Sequence, residues 1–152
     1  MLVVNKNIER VELPGSVRVI ENLAFGCCNS LKTVVIHECL TEIERSAFSN
    51  CTKLESITIP ASVQEIKGFV FSECSLLKSV NISNDVTKMD GMLTFYKCTQ
   101  LSEIFIHPSV TDIEFDIFDT YGENLTVYGV SGSTAHNAAN EYIRLFGGSF
   151  NF

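Results

Sequence analysis

Residues 54–74 read LESITIPASVQEIKGFVFSEC, and their apolar side chains are unevenly spaced. Ile57 and Ile59 alternate with polar residues, as in a strand, whereas Ile66 and Phe71 lie five residues apart. Neither a single helix nor a single strand has this spacing over its whole length. Since the same spacing recurs on both sides of the segment, the repeat as a whole has to be considered before any single element.

The pattern occurs in five full units, and a sixth begins near the C-terminus. The units start at Ile8, Leu31, Leu54, Leu77, Leu101 and Leu125, which are 23, 23, 23, 24 and 24 residues apart. One phase of the unit holds Phe25, Phe48, Phe71, Phe95 and Phe118. Another phase holds Cys28, Cys51, Cys74 and Cys98, with Tyr121 in the fifth unit. The recurrence predicts columns of side chains that pack on their own copies in neighbouring units.

A single unit of this length cannot bury its apolar side alone, so the repeat predicts a solenoid in which stacked coils share one core. The L-x-x-I-x-I start of each unit alternates with period two and predicts a short strand, so successive strands should pair in parallel. A turn is expected at the Pro/Ser segment that follows. The stretch around Ile43–Phe48 is too short for a full helix, and we expect an irregular, 3₁₀ or short strand-like crossing there.

The units resemble the BspA-like class of leucine-rich repeats, whose pattern is approximately L-x-x-I-x-I-P-x-S-V-x-x-I-x-x-x-A-F-x-x-C-x-x. Residues 8–124 match it over five units, and AFGCC and AFSNC match its most specific part. The chain departs from the pattern at His37, Ser83 and His107, where proline is usual, and at Tyr121, where cysteine is usual. The resemblance implies a short α/β-type leucine-rich-repeat solenoid, mostly β with irregular coils. It also implies a surface or secreted protein of the adhesin kind that contacts host or neighbouring-cell proteins.

The domain is expected to span residues 1–152, with repeats at 8–30, 31–53, 54–76, 77–100 and 101–124 and a C-terminal cap over 125–152. Within the cap, SGSTAHNAANEYIRLFGG predicts a helix that Ser133 or Thr134 caps and Gly147–Gly148 ends. One face of this helix carries Ala135, Ala138, Ala139, Tyr142 and Phe146. The last residues, GSFNF, are expected to add a strand.

No capping device is visible at the N-terminus, where Leu2 and Val4 look like part of a coil or an edge strand. We therefore expect either a slice of a longer array or a monomer that pairs weakly with a second copy through the open edge.

Composition excludes several classes of function. The net charge is −7 and the 11 Lys and Arg are scattered, which argues against a nucleic-acid partner. No apolar run approaches the roughly 20 residues of a membrane helix, so membrane insertion is not expected. The start of the chain shows no secretion signal.

Neither the cysteines nor the histidines suggest a metal, cofactor or catalytic site. The column cysteines recur at the repeat period and are predicted to be buried free thiols, whereas Cys27 and Cys39 fall outside the column and are the candidates for exposed thiols. His37 and His107 lie three coils apart, about 14 Å at the spacing of strands, which is too far for one metal ion. No nucleophile–base motif is present, so an enzyme is not expected.

The outward face of the strands is the predicted binding surface, because it is low in charge and carries exposed apolar groups. The candidate protein-binding residues are Val35, His37, Thr58, Asn81, Glu103, Phe105 and His107. The sequence thus favours a non-catalytic protein-binding module, and the family resemblance implies a cell-surface or secreted location. An intracellular, cytoplasmic scaffold and a structural spacer that displays another domain remain the alternatives.

Overall fold

The computed structural model describes residues 7–90, 92–113, 117 and 125–146, with side chains described as far as residue 141. The elements are β1 (Arg10–Glu12), β2 (Val19–Ile20), β3 (Thr33–Val35), β4 (Glu42–Ile43), β5 (Ser56–Ile59), β6 (Glu65–Ile66), β7 (Ser79–Ile82), β8 (Lys88–Met89), β9 (Glu103–Ile106), β10 (Asp112–Ile113), β11 (Thr126–Tyr128) and α1 (Thr134–Phe146). They form a β-solenoid, as the repeat predicts, in which each coil contributes one strand to each of two faces.

The first face consists of the strands predicted at the start of each unit. β1 and β3 form a two-stranded sheet, and β5, β7, β9 and β11 form a four-stranded sheet. Every pair of neighbouring strands is parallel. Ile57 lies opposite Val80 and Ile59 opposite Ile82, and all four are buried, while Thr58 and Asn81 point outward. β3 and β5 are neighbours but form no ladder, so the face has a break at this point.

The crossing segment of each coil begins with a two-residue strand, which resolves the alternatives that the sequence left open. β2, β4, β6, β8 and β10 make a five-stranded parallel sheet. Their inward residues Ile20, Ile43, Ile66 and Met89 are almost fully buried. Two residues are too few to show a period of two in the sequence, so the pattern alone could not distinguish this strand from an irregular crossing.

After the second strand, the coil turns through two residues with left-handed backbone. The first of these positions holds Leu23, Ser46, Phe69 and Leu93, and the second holds Cys27, Asn50, Glu73 and Lys97. None is glycine, although a left-handed residue with a Cβ costs about 1–2 kcal/mol. Hydrogen bonds between coils hold the turn in place: the Phe25 amide donates to the Ala47 carbonyl at 2.8 Å, and the Phe48 amide to the Val70 carbonyl at 3.0 Å.

Ser46→Gly is expected to raise the free energy of unfolding by about 0.5–1 kcal/mol. Ser46 has a φ of 58° and its hydroxyl makes no hydrogen bond with the described residues, so glycine removes the strain at little loss of contact. Part of the gain is offset by the greater freedom of glycine in the unfolded chain. Urea denaturation measures the difference. Ser46→Val, which adds a branched Cβ to the same backbone, should lower stability; a loss for both variants would contradict the strain argument.

The phenylalanine column forms a continuous stack inside the solenoid. Neighbouring rings are nearly parallel, with centroids 5.3 Å apart for Phe25 and Phe48, 5.9 Å for Phe48 and Phe71, and 5.8 Å for Phe71 and Phe95. Phe48, Phe71 and Phe95 are completely buried. Phe118, the predicted fifth member of this column, and Tyr121, the predicted fifth member of the cysteine column, lie outside the described residues.

All six cysteines are free, and the column thiols are buried as predicted. Each of three column thiols donates a hydrogen bond to a phenylalanine carbonyl of the preceding coil: Cys51 to Phe25 at 3.1 Å, Cys74 to Phe48 at 3.2 Å and Cys98 to Phe71 at 3.0 Å. Burial raises the pKa of the Cys98 thiol to about 12 and also raises the pKa of Cys51 and Cys74. Cys27 is exposed and Cys39 half-buried, in agreement with their position outside the column.

Helix α1 packs at the C-terminal end of the stack. Ala135, Ala138 and Ala139 are buried, as the helical pattern predicts, and the helix contacts β10. The Ser133 hydroxyl accepts the His136 amide at 3.3 Å, so Ser133 is the N-cap. The side chains of Tyr142 and Phe146, the glycines at 147 and 148, and the expected last strand lie outside the described residues, as do Leu2 and Val4.

Candidate binding face

The outward side chains of the first face form a surface that we call the strand face. Its central column is Glu12, Val35, Thr58, Asn81, Phe105 and Tyr128, in the order of the coils. Since strand side chains alternate between the two sides of a sheet, the residues two positions before each of these lie on the same face. Five of the seven residues predicted to bind a partner lie on this face, namely Val35, Thr58, Asn81, Glu103 and Phe105, whereas His37 and His107 follow the ends of β3 and β9.

Two aromatic rings stand next to each other near the C-terminal end of the strand face. The centroids of Phe105 and Tyr128 are 4.3 Å apart and the rings are inclined by only 7°. Phe105 is 39% exposed and Tyr128 is 41% exposed. Aromatic pairs contribute most in cores and interfaces, so an exposed stacked pair marks a candidate interaction site.

The sequence does not predict Tyr128 on this face, because a sixth unit that starts at Leu125 has Gly129 at the position of Phe105. Leu125 follows Leu101 by 24 residues, whereas β11 pairs with β9 at a separation of 23, which places Tyr128 opposite Phe105. Val127 is fully buried in this register. The alternation of Val127 and Tyr128 would have indicated the correct register, since the apolar aliphatic residue belongs inside.

Four of the predicted residues line one shallow depression with a volume of about 250 Å³. Its lining comprises Ser56, Ile57, Thr58, Ser79, Asn81, Glu103 and Phe105. The floor belongs to β5 and β7, whose outward side chains are small, and the larger Phe105 of the neighbouring β9 forms a wall. The depression exists because the outward side chains of β5 and β7 are smaller than the aromatic side chain on the neighbouring β9.

The predicted residue Val35 lines an adjoining depression of about 300 Å³, which lies where β3 and β5 fail to form a ladder. The two depressions share Ser56, Ile57 and Thr58. We call the two adjoining depressions together the trough, which extends across the strands from Val35 to Phe105. Three strand spacings separate these rows, or about 14 Å.

The two predicted histidines lie outside this trough. His37 is exposed, and its Nε2 lies 3.6 Å from Glu12 Oε1. His107 is also exposed, and its Nδ1 accepts the backbone N–H of Ser109 at 3.2 Å, which stabilises the local turn. In the part of the chain that the structure describes, no three His, Cys, Asp or Glu side chains are grouped to hold a metal ion.

Charges are distributed differently on the strand face and elsewhere. Away from this face, lysines pair with carboxylates of the preceding coil: Lys32 with Glu9, Lys67 with Glu44, Lys78 with Glu55, Lys88 with Glu65 and Lys97 with Glu73. On the strand face, Arg10 pairs with Glu12. Glu103 has no ion pair or hydrogen bond to its side chain among the described residues, which leaves a free carboxylate beside the aromatic pair.

Known proteins contain the same repeat. Residues 4–125 match the model of the BspA type leucine rich repeat region, in six copies. No curated protein matches the chain.

Several solved structures have the same fold. A leucine rich cell surface protein from Faecalibacterium prausnitzii A2-165 is 32% identical and superposes with a TM-score of 0.74 over 87% of this chain. A leucine rich repeat protein from T. pallidum is 26% identical, with a TM-score of 0.63, and the match covers 95% of this chain and 72% of that one. A leucine-rich repeat protein from Bacteroides ovatus is 21% identical, with a TM-score of 0.60, and the match covers 81% of this chain and 39% of that one. This likeness shows the fold alone. The chain spans about a third of the F. prausnitzii protein, at 35% of its length. In the described part of this chain, no helix has the length and apolar character needed to cross a membrane.

Proposed function

The chain belongs to the BspA-type leucine-rich repeat family, and from this premise we propose that it is a non-catalytic protein-binding module of a cell-surface or secreted protein. Modules of this family generally serve protein interaction and surface functions and are not typically enzymes. The F. prausnitzii structure, which is similar over most of this chain, is described as a cell surface protein. The proposed site is the strand face.

The exposed aromatic pair is the observation that carries this proposal. Phe105 and Tyr128 together present a rigid apolar surface at little cost in side-chain entropy, because each ring has only two side-chain torsions. Aromatic side chains are enriched among the residues that contribute most to protein interfaces. An interface centred on the rings also removes their exposed apolar area from water, which stabilises the complex.

The surface outside the strand face is less suited to a partner, because its charged side chains are paired. The ion pairs between coils occupy the side chains of Lys32, Lys67, Lys78, Lys88 and Lys97. A partner that covered them would have to desolvate charges that already have counter-ions. The floor of the trough, formed by Ser56, Thr58, Ser79 and Asn81, is uncharged, so a partner can cover it with less desolvation of charge.

Phe105→Asp is expected to weaken binding at least 30-fold, the effect of removing an interface residue worth about 2 kcal/mol. The measurement is biolayer interferometry of the purified 152-residue chain against a panel of extracellular matrix proteins, together with flow cytometry on intact epithelial cells. Val19→Asp is the matched control, because Val19 is 38% exposed but lies on β2, in the five-stranded sheet of the crossing segments. Circular dichroism checks that both variants are folded.

Equal binding by the two variants would contradict the choice of face. Failure of the folded chain to bind any surface or matrix protein would contradict the surface-adhesion function and favour a spacer.

A further inference from the structure

Resting on the proposed function, we propose a chemistry for the segment of the partner that binds: an extended peptide in which an aromatic or proline side chain lies two residues from a lysine or arginine. The peptide would lie against the Phe105 wall of the trough, along the direction of the strands. Three features of the trough specify this ligand: its polar floor, its aromatic wall and the free carboxylate at its edge.

The floor indicates an extended backbone. Ser56, Thr58, Ser79 and Asn81 are uncharged, and none of their side chains makes a hydrogen bond within the described structure. They offer donors and acceptors that need partners once water is displaced. An extended peptide has free N–H and C=O groups to supply them, whereas the interior backbone groups of a helix are already bonded to one another. A helix could therefore meet this floor only through its side chains, whereas an extended peptide can also use its backbone.

The wall and the carboxylate set the spacing between two side chains of the ligand. Glu103 and Phe105 point to the same side of β9, two residues apart, which corresponds to about 6.6 Å along a strand. Side chains at positions i and i+2 of an extended peptide are the same distance apart and also point to one side. One can stack on the exposed face of Phe105 while the other reaches the Glu103 carboxylate.

Charge selects a basic residue for the second position. Glu103 is half-buried and lacks a cationic partner among the described residues, so a lysine or arginine of the ligand would form a charge-assisted hydrogen bond there. The net charge of −7 also favours the approach of basic segments over acidic ones.

Three pools of nine-residue peptides test the proposal, each randomised outside the fixed positions. The pools carry Phe-x-Lys, Phe-x-Glu and Phe-x-x-Lys, and binding to the 152-residue chain is measured by fluorescence polarisation at low and high salt. The Phe-x-Lys pool should bind at least tenfold more tightly than the other two, since a side chain at i+3 of an extended peptide points away from one at i. Its advantage over Phe-x-Glu should shrink as salt increases.

Glu103→Gln should weaken binding of the Phe-x-Lys pool about tenfold or more, the loss expected for a hydrogen bond to a charged group. Asp112→Asn is the matched control: it removes the same charge from an exposed carboxylate on β10 and should leave binding unchanged. Equal binding of all three pools, or equal effects of the two variants, would overturn the proposal. So would binding of neutral glycans, dependent on Phe105, without selectivity among the peptides.

These results are separable from the proposed function. Phe105-dependent binding to a matrix protein without preference for Phe-x-Lys would overturn the peptide chemistry and leave the binding face intact. Loss of both would overturn both.

Discussion

Replacement of Phe71 by alanine is expected to lower the free energy of unfolding by about 3–5 kcal/mol, a large part of the stability of a domain of this size. The ring is completely buried between Phe48 and Phe95, with centroids 5.9 and 5.8 Å away, so truncation removes buried area and leaves a cavity in the middle of the stack. The coils above and below cannot close the gap, because the backbone hydrogen bonds between coils keep them apart. Urea unfolding followed by circular dichroism measures the change.

Phe105→Ala is the control for this experiment, since the same chemical change is made on a ring that is 39% exposed and that, among the described residues, stacks on Tyr128 alone. Its effect should be about 1 kcal/mol or less. Similar losses for the two variants would mean that the phenylalanine column does not hold the coils together.

The second large effect is in the reactivity of the thiols. At pH 8, iodoacetamide should label Cys98 of the folded chain at least about 1000-fold more slowly than an ordinary exposed thiol, because the thiolate is the reacting form. Burial raises the pKa of Cys98 from its usual 9.0 to about 12, which lowers the ionised fraction from about one in ten to about one in ten thousand. Cys51 and Cys74 should be protected in the same way, as burial raises the pKa of both.

Mass spectrometry of the labelled peptides over time measures each rate. Cys27, which is exposed, is the internal reference, and guanidinium-unfolded protein should label at all six positions. If Cys74 in the folded chain reacted within tenfold of the rate of Cys27, the column thiols would not be sealed inside the solenoid.

The repeat explains why so much of the core could be predicted. Once two coils are known to stack, a side chain that recurs at one phase must lie next to its own copies, and large apolar groups such as Phe48 and Phe71 can do so only inside. The same logic identified the buried thiols and the parallel strands. Even the charge pairs between coils follow this rule, since Glu55 and Lys78 occupy the same phase of successive units.

The properties of the strand face were less predictable, because they depend on which rows are neighbours. The sequence identified Phe105 as an outward residue but not its stacking partner, since a shift of one residue in the sixth unit turns Tyr128 from the inside to the outside. Nothing in the pattern indicated that β3 and β5 would form no ladder, or that the small rows beside Phe105 would form a trough.

The sequence by itself determined that the chain coils, how many residues make a coil and which columns are buried. The reason is that apolar side chains repeated at a fixed period are removed from water when they pack against their copies in neighbouring coils. The tertiary structure alone decided the second sheet of two-residue strands, the left-handed turns and the register that stacks Tyr128 on Phe105. These depend on backbone hydrogen bonds between coils, which join residues 22 to 25 positions apart and whose geometry no local pattern of apolar and polar residues specifies.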